Sequence, residues 1–267
     1  MSTITDFSVP PVRRQERFQA TVTGREQLTD SMVRVTFSCP QWVDFDFPTC
    51  TDTYMKLILP GPDGQPVMRS YTIRHADAVS GSVDIDFVVH GDHGVAGVWA
   101  STAQAGDTVT FAGIGGGYAP SLQATAHLLV GDESALPAIA VALEALADSA
   151  DVTVFLEVEA PGHEVPVAHR EKVTWLYRQG KAHGAALVHA CEELGAVPAG
   201  TQVFLHGEAM AVREIRRSLR AMGVPRQAMS VSGYWRAGAS DEQWRESKAQ
   251  WKRRVQADEE ALRSSDS

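Results

Sequence analysis

Arg69-Ser70-Tyr71-Thr72 places an arginine, an aromatic phenol and two small hydroxyls in four consecutive residues. The surrounding alternation reads as a β-strand, with Arg69 and Tyr71 on one face and Ser70 and Thr72 on the other. A guanidinium can grip a pyrophosphate, an aromatic ring can lie against a planar heterocycle, and a hydroxyl can hydrogen-bond a ring nitrogen. Together these groups suit a flavin dinucleotide, although an ordinary barrel strand also accommodates the tetrapeptide. A second stretch, His90-Gly91-Asp92-His93-Gly94-Val95-Ala96-Gly97, reads as a glycine-rich turn entering a helix. Backbone N–H groups converge there at the positive end of the helix dipole, which favours phosphate. A tight turn would explain it too, but beside the Arg-x-Tyr-Thr strand the phosphate reading is the stronger.

The totals bound what this chemistry can be. The chain has 267 residues, 44% hydrophobic and 21% charged, enough for a large domain or two ordinary ones. A net charge of −9 disfavours nucleic acid as a partner but allows a small anion in a local basic pocket. Cys39, Cys50 and Cys191 are far apart with no C-x-x-C spacing, which argues against an iron–sulfur cluster, a zinc knuckle or a disulfide framework. His90 and His93 are three apart, but the glycines around them mark a turn, not a metal-presenting helix. Redox chemistry here would need an organic cofactor. No apolar run is long enough to cross a bilayer, and Met1 to Pro11 lacks a signal pattern, so the expected location is the cytoplasm without membrane insertion.

The elements that must position these residues fall into two halves. Alternating runs at 18–28, 32–38, 54–59, 68–75, 82–89 and 108–112, separated by Pro/Gly turns, predict a small antiparallel β-barrel. One helix from about Val95 to Thr102 interrupts it. From His127 the pattern changes to strand–helix alternation: strands near 127–131, 151–159, 173–177, 202–206 and 228–234, with helices at 136–146, 185–194 and 209–222. This predicts a parallel α/β sheet of the nucleotide-binding type. Asp132 or Ser134 can cap the first of those helices. Arg213, Arg216, Arg217 and Arg220 read as a solvated helix face. A final helix from Asp241 to about Leu262 is opened by a Ser240/Gln243 capping box, and Trp244, Lys248, Trp251 and Val255 form its packing stripe. The expected organisation is an arm at 1–16, a flavin-binding barrel at 17–122, an α/β domain at 123–238 and a C-terminal helix and tail at 239–267. The sheet lacks G-x-G-x-x-G. Its first turn, Gly131-Asp132-Glu133-Ser134-Ala135, puts two carboxylates where a pyrophosphate would lie, so dinucleotide binding there cannot be assumed.

Five stretches together resemble the siderophore-interacting protein family, FAD-dependent ferric-siderophore reductases of the ferredoxin-reductase-like superfamily. They are Asp52-Thr53-Tyr54-Met55-Lys56-Leu57, Arg69 to Arg74, Asp86-Phe87-Val88-Val89-His90-Gly91, Gly131 to Ile139, and Gly233-Tyr234-Trp235-Arg236. The resemblance covers about residues 15–255. It implies FAD in the barrel, with Arg69 on the pyrophosphate, Ser70, Tyr71 and Thr72 around the isoalloxazine, and Asp86 and Val88 on the neighbouring strand. His90 and the Gly94-Val95-Ala96 backbone would hold the nucleotide end. The turn of Asp132, Ser134 and Ala135 would close over the cofactor, with Trp235 near the flavin. Family members often carry Pro-Ala-Ser or Pro-Ala-Thr where this chain has Val95-Ala96-Gly97, so backbone amides must replace a hydroxyl contact.

The activity so implied follows from iron chemistry. Oxygen-donor siderophores hold hard Fe³⁺ far more tightly than Fe²⁺, so one electron releases the metal without destroying the ligand. A flavin takes a hydride as two electrons and passes them singly. The chain would be a monomeric reductase carrying electrons from NAD(P)H, or from ferredoxin given the acidic turn, through FAD to a ferric siderophore. Ferric siderophores are often anionic, which makes Lys56, Arg236 and Arg178 the candidate substrate contacts. Lys56 could equally be a snorkelling lysine on a barrel edge. Two other readings stay open: a flavoprotein reductase with another acceptor, and a siderophore-binding module without redox activity.

Overall fold

The structure, a computed structural model, describes residues 12–89 and 94–265. The first half is a curled antiparallel sheet. Its strands are β1 (Val12–Thr29), β2 (Met32–Ser38), β3 (Tyr54–Pro60), β4 (Pro66–Thr72), β5 (His75–Asp77), β6 (Ser82–Val88) and, after helix α1 (Val95–Thr102), β7 (Thr108–Gly116). The order β4-β3-β7-β1-β2-β6-β5 leaves the hydrogen-bonded ladder open between β4 and β5, so the barrel is not closed. Alternation does the folding: Val33, Val35 and Phe37 are buried while Arg34 and Thr36 between them are half-buried. Trp42 fills the interior against Phe18 and Phe111, with ring centroids 5.9 and 5.4 Å away.

Two local differences from the sequence reading have simple causes. Strand β1 begins at Val12, inside the stretch expected to be a loose arm, because Arg14 pairs with Ile114 of β7. The predicted strand 68–75 breaks after Thr72: the Ile73 amide donates to Thr53 and the Arg74 amide to Asp84, so the chain crosses from β3 to β6 at that point.

The second half is a five-stranded parallel sheet. It comprises β8 (Ala126–Asp132), α2 (Leu136–Ala145), β9 (Val152–Val158), β10 (Val173–Tyr177), α3 (Ala185–Glu192), β11 (Thr201–Glu208), α4 (Ala209–Ala221) and β12 (Met229–Trp235), in the order β10-β9-β8-β11-β12. Strands β8 and β11 are buried at every position, as expected of strands covered on both faces. The two sheets are tied together by Asp52, whose Oδ1 accepts the amides of Gly117 and Tyr118 at 2.8 Å each, and by Tyr118 packed 4.8 Å from Phe204.

Helix α5 (Asp241–Ser265) closes the molecule. Its capping box forms as expected, with the Ser240 amide donating to Gln243 and the Gln243 amide to Ser240. Trp244 and Trp251 are buried, and the Trp251 indole donates to the Ala209 carbonyl at 2.8 Å. Of the four α4 arginines only Arg217 is exposed to solvent as expected. Arg213 binds Asp258 bidentately, and Arg216 and Arg220 share Glu259, which is 1% exposed. An amphipathic pattern cannot distinguish water from a partner helix as the occupant of the polar side. No helix among the described residues is long and apolar enough to cross a membrane.

Candidate functional site

A cavity of about 1190 Å³ lies where the β4/α1 side of the first sheet, the C-terminal ends of the second sheet and helix α5 converge. Arg69, Ser70, Tyr71 and Thr72 all line it. As an edge strand, β4 can offer residues of both faces to the same space. The Tyr71 ring is braced 4.5 Å from Phe87 in the barrel core. Opposite, Asp86 and Val88 on β6 and the first turn of α1 (Gly94, Val95, Ala96, Gly97) complete that wall. Asp86 is held by a bidentate ion pair with Arg34 at 2.7 and 2.8 Å, so it shapes the strand and presents no free charge. His90 lies outside the described residues.

Among the described residues no side chain caps the N-terminus of α1, whose first turn lines the cavity. Gly97 explains the departure from a hydroxyl at this turn: a Cβ there would stand 2.8 Å from the Val88 carbonyl oxygen, so only glycine lets the helix sit against β6. Arg69 is engaged from the other direction. Its guanidinium lies 3.1 Å from Asp241 and 2.7 Å from Glu242, the first two residues of α5.

The Gly131–Ala135 turn resolves differently from its sequence reading. Asp132 is 1% exposed and is a knot joining three strands. Its Oδ1 accepts the amide and hydroxyl of Ser134, and its Oδ2 accepts the Glu208 amide and the Trp235 indole N–H at 2.8 Å each. Burial pushes its carboxyl above the usual range, while the Ser134 hydroxyl pulls the other way. Asp132 therefore caps the turn but not α2, whose N-terminal residue Ala135 has no side-chain cap. Ala135 itself is fully buried beneath the turn and does not line the cavity, whereas Asp132, Glu133, Ser134 and Trp235 do. The second carboxylate, Glu133, is ion-paired with Arg178 at 3.0 Å.

That pairing corrects one expected substrate contact. Arg178 lines the cavity but is 3% exposed and is held by Glu133, Glu157 and Glu159 together. Burial opposes its charge, and the Glu133 carboxylate beside it more than compensates, raising the guanidinium above its ordinary value. With three carboxylates around one guanidinium, Arg178 has no positive charge to spare for an anion. Lys56 is half-buried on the outer face of β3 opposite Ser70, and Arg236 is half-buried just past β12; neither lines the cavity.

The cavity's positive charge comes instead from α5 and the turn before β12: Arg245, Lys248, Lys252 and Arg226. Among the described residues neither Lys248 nor Lys252 has a carboxylate partner. Lys248 lies 5.7 Å over the Trp244 ring, and burial, with Lys252 and Arg245 nearby, lowers its ammonium below the usual range. A lysine inside an otherwise apolar helical stripe was the available sequence signal for this wall. Tyr54 and Tyr234, which lie in two of the stretches that carry the resemblance but were given no role, also line the cavity, as does His183, which belongs to none of them. The His183 ring stands perpendicular to Trp235 at 4.7 Å, and its buried Nδ1 has no protein partner among the described residues.

These groups fit a flavin dinucleotide: uncapped helix amides and Arg69 for phosphates, Tyr71 and Thr72 beside them, and an unpartnered ring nitrogen on the far wall. Comparison with known proteins agrees. Residues 21–66 and 62–118 match the siderophore-interacting FAD-binding domain, and residues 124–238 match the siderophore-interacting protein domain. The chain is 37% identical to an uncharacterized protein of Mycobacterium tuberculosis, with 88% of this chain and 94% of the relative covered. It is 36% identical to the ferric vibriobactin reductase ViuB of Vibrio cholerae over 74% of this chain and 73% of that one. Among solved structures, a siderophore utilization protein from T. fusca superposes with a TM-score of 0.75 at 32% identity, covering 87% of this chain and 98% of the other. Phthalate dioxygenase reductase, at 11% identity and a TM-score of 0.64 over 85% of this chain and 70% of its own, shares the ferredoxin-reductase-like fold. The chain belongs to the siderophore-interacting protein family.

Proposed function

We propose that the protein is an FAD-dependent reductase of ferric siderophores, taking electrons from NAD(P)H and releasing Fe²⁺ for assimilation. One observation carries this reading: the face suited to a flavin and the uncompensated cations of α5 open into the same cavity. Bound FAD would supply the conversion of a two-electron donor into single electrons.

The chain's own residues bind and orient. Arg69 and the α1 amides hold the pyrophosphate, with Arg69 exchanging Asp241 and Glu242 for the phosphates. Tyr71 and Thr72 flank the ring system, and Asp132 keeps Trp235 in place from beneath. Lys248 and Lys252 draw an anionic ferric chelate toward the same space, and no residue need ligate iron. The similarity to a ferric vibriobactin reductase supports the reaction class. The Asp132–Glu133 turn is committed to Ser134, Glu208, Trp235 and Arg178 and lacks the glycine-rich loop that would cradle a nicotinamide pyrophosphate, and ferredoxin is the alternative donor.

The test separates substrate binding from flavin chemistry. Lys248→Ala with Lys252→Ala should raise KM for an anionic ferric siderophore while flavin content and flavin reduction by the donor stay unchanged. An unchanged KM removes the basic wall from the mechanism, and impaired flavin reduction assigns these lysines to the donor side.

A further inference from the structure

Electrons arriving at a bound flavin bring negative charge, which an accompanying proton compensates. The structure has a connected set of side chains suited to moving one. Tyr234 and Thr72 both line the large cavity, where burial raises the Tyr234 phenol and the Thr72 hydroxyl works against it. The Tyr234 hydroxyl lies 2.8 Å from Nδ1 of His206, whose Nε2 lies 3.0 Å from the Ser230 hydroxyl. Ser230 in turn lines a separate pocket of about 200 Å³, bounded also by Tyr118, Gln202 and the exposed Gln227. That pocket is polar and large enough for several waters.

We propose that Tyr234, His206 and Ser230 carry a proton between the smaller pocket and the Thr72 side of the large cavity, inward when electrons arrive and outward when they leave. The proposal rests on the flavin reading above. Moving inward, a water in the smaller pocket gives a proton to Ser230 Oγ as the serine's own proton passes to His206 Nε2. The Nδ1–H bond breaks as its proton passes to Tyr234 Oη, the phenol's original proton passes to Thr72 Oγ1, and the Thr72 hydroxyl releases its own proton into the large cavity. Ser230 Oγ, the imidazole as a whole, Tyr234 Oη and Thr72 Oγ1 each gain one proton and lose one, and the hydroxide left in the smaller pocket is reprotonated by solvent. The imidazole ends neutral as the opposite tautomer, and the outward passage restores the first. No electron travels this way; the proposed donor and the ferric chelate supply and remove those.

The setting suits a relay that never stores charge. His206 is 3% exposed and packed against Phe204 with ring centroids 3.9 Å apart and planes tilted by 33°, and burial, with Lys248 adding to it, pulls the imidazole down to about 3. Burial likewise raises the Tyr234 phenol, with Asp52 reinforcing the shift and Asp132 and Tyr54 facing the same group. Neither residue ionises near neutrality, so a proton can cross only by concerted exchange. A merely structural role for this chain of hydrogen bonds would need no polar pocket at its outer end.

The test uses the full chain loaded with FAD. ¹⁵N-histidine NMR should find His206 neutral with Nδ1 protonated in the oxidised protein, and neutral with Nε2 protonated after photoreduction. The same tautomer in both states overturns the relay. In rapid mixing with dithionite and a pH-indicator dye, proton uptake should keep pace with flavin bleaching in the wild type. In Tyr234→Phe and Ser230→Ala it should lag on the order of 10²-fold. If uptake keeps pace in both variants, the path is not used. A chain that takes up no FAD is colourless, which is a failure of the flavin reading and is distinguishable from either result.

Discussion

Freeing Arg69 from helix α5 should make FAD bind more tightly. In the structure the guanidinium is held by Asp241 and Glu242, whose side chains are 34% and 55% exposed. Ion pairs this open to solvent are each worth about 0.2–1 kcal/mol. The pyrophosphate must displace both, so the competition amounts to about 0.4–2 kcal/mol. Asp241→Asn with Glu242→Gln removes the charges and keeps the side-chain shapes at the helix start. Titration of the apo-protein with FAD, followed by flavin fluorescence or calorimetry, should then show Kd about 2- to 30-fold lower. The gain should shrink with added salt, since screening already weakens exposed pairs. Unchanged or weaker FAD binding, with α5 still folded by circular dichroism, would refute the idea that Arg69 serves the phosphates.

Three other outcomes follow from the same geometry. Glu259→Gln leaves Arg216, itself 3% exposed, without its counter-charge, and should lower stability by about 3–5 kcal/mol in urea unfolding. Gly97→Ala drives a methyl against the Val88 carbonyl and should cost about 1–3 kcal/mol and weaken FAD binding, because α1 must move off β6. His206 falls from 6.5 to about 3 on folding, so between those values the unfolded chain binds the extra proton. Stability should therefore drop as pH falls through that window, by about 1.4 kcal/mol per pH unit from this group. Denaturant midpoints of His206→Gln should show a correspondingly shallower acid slope than wild type; parallel slopes would mean the imidazole is not held neutral.

The fold was readable because its information is periodic. Alternation marked six of the seven antiparallel strands, and the change to strand–helix alternation at His127 marked the second sheet. Arg69, Tyr71, Thr72 and the α1 turn stood out because their residue types suggest a chemistry within a few positions, and the structure gathers them around one cavity. Lys56, Arg178 and Arg236 show where that method ends. Each is a cation of the right kind, but whether its charge is spent depends on partners far along the chain, such as Glu133 and Glu157 around Arg178. Arg213, Arg216 and Arg220 of α4 misled for the same reason, since Asp258 and Glu259 lie about 40 residues away in sequence, whereas Arg217 is exposed as expected. Asp132 looked like an obstacle to phosphate, yet it is an acceptor for Glu208 and Trp235, which no local pattern reveals. Lys248 was visible, but only as one member of a packing stripe.

The central claim is that electrons reach ferric iron through a flavin seated between β4 and α1. Anaerobic steady-state assay of the FAD-loaded protein, with a ferric siderophore, a ferrous-specific chelator and NADPH, NADH or reduced ferredoxin in turn, tests it most directly. The expected result is siderophore-dependent oxidation of one of these donors, with two ferrous ions trapped per nicotinamide oxidised or one per ferredoxin. Flavin reduction by a donor with no ferrous iron formed from any ferric siderophore would contradict it.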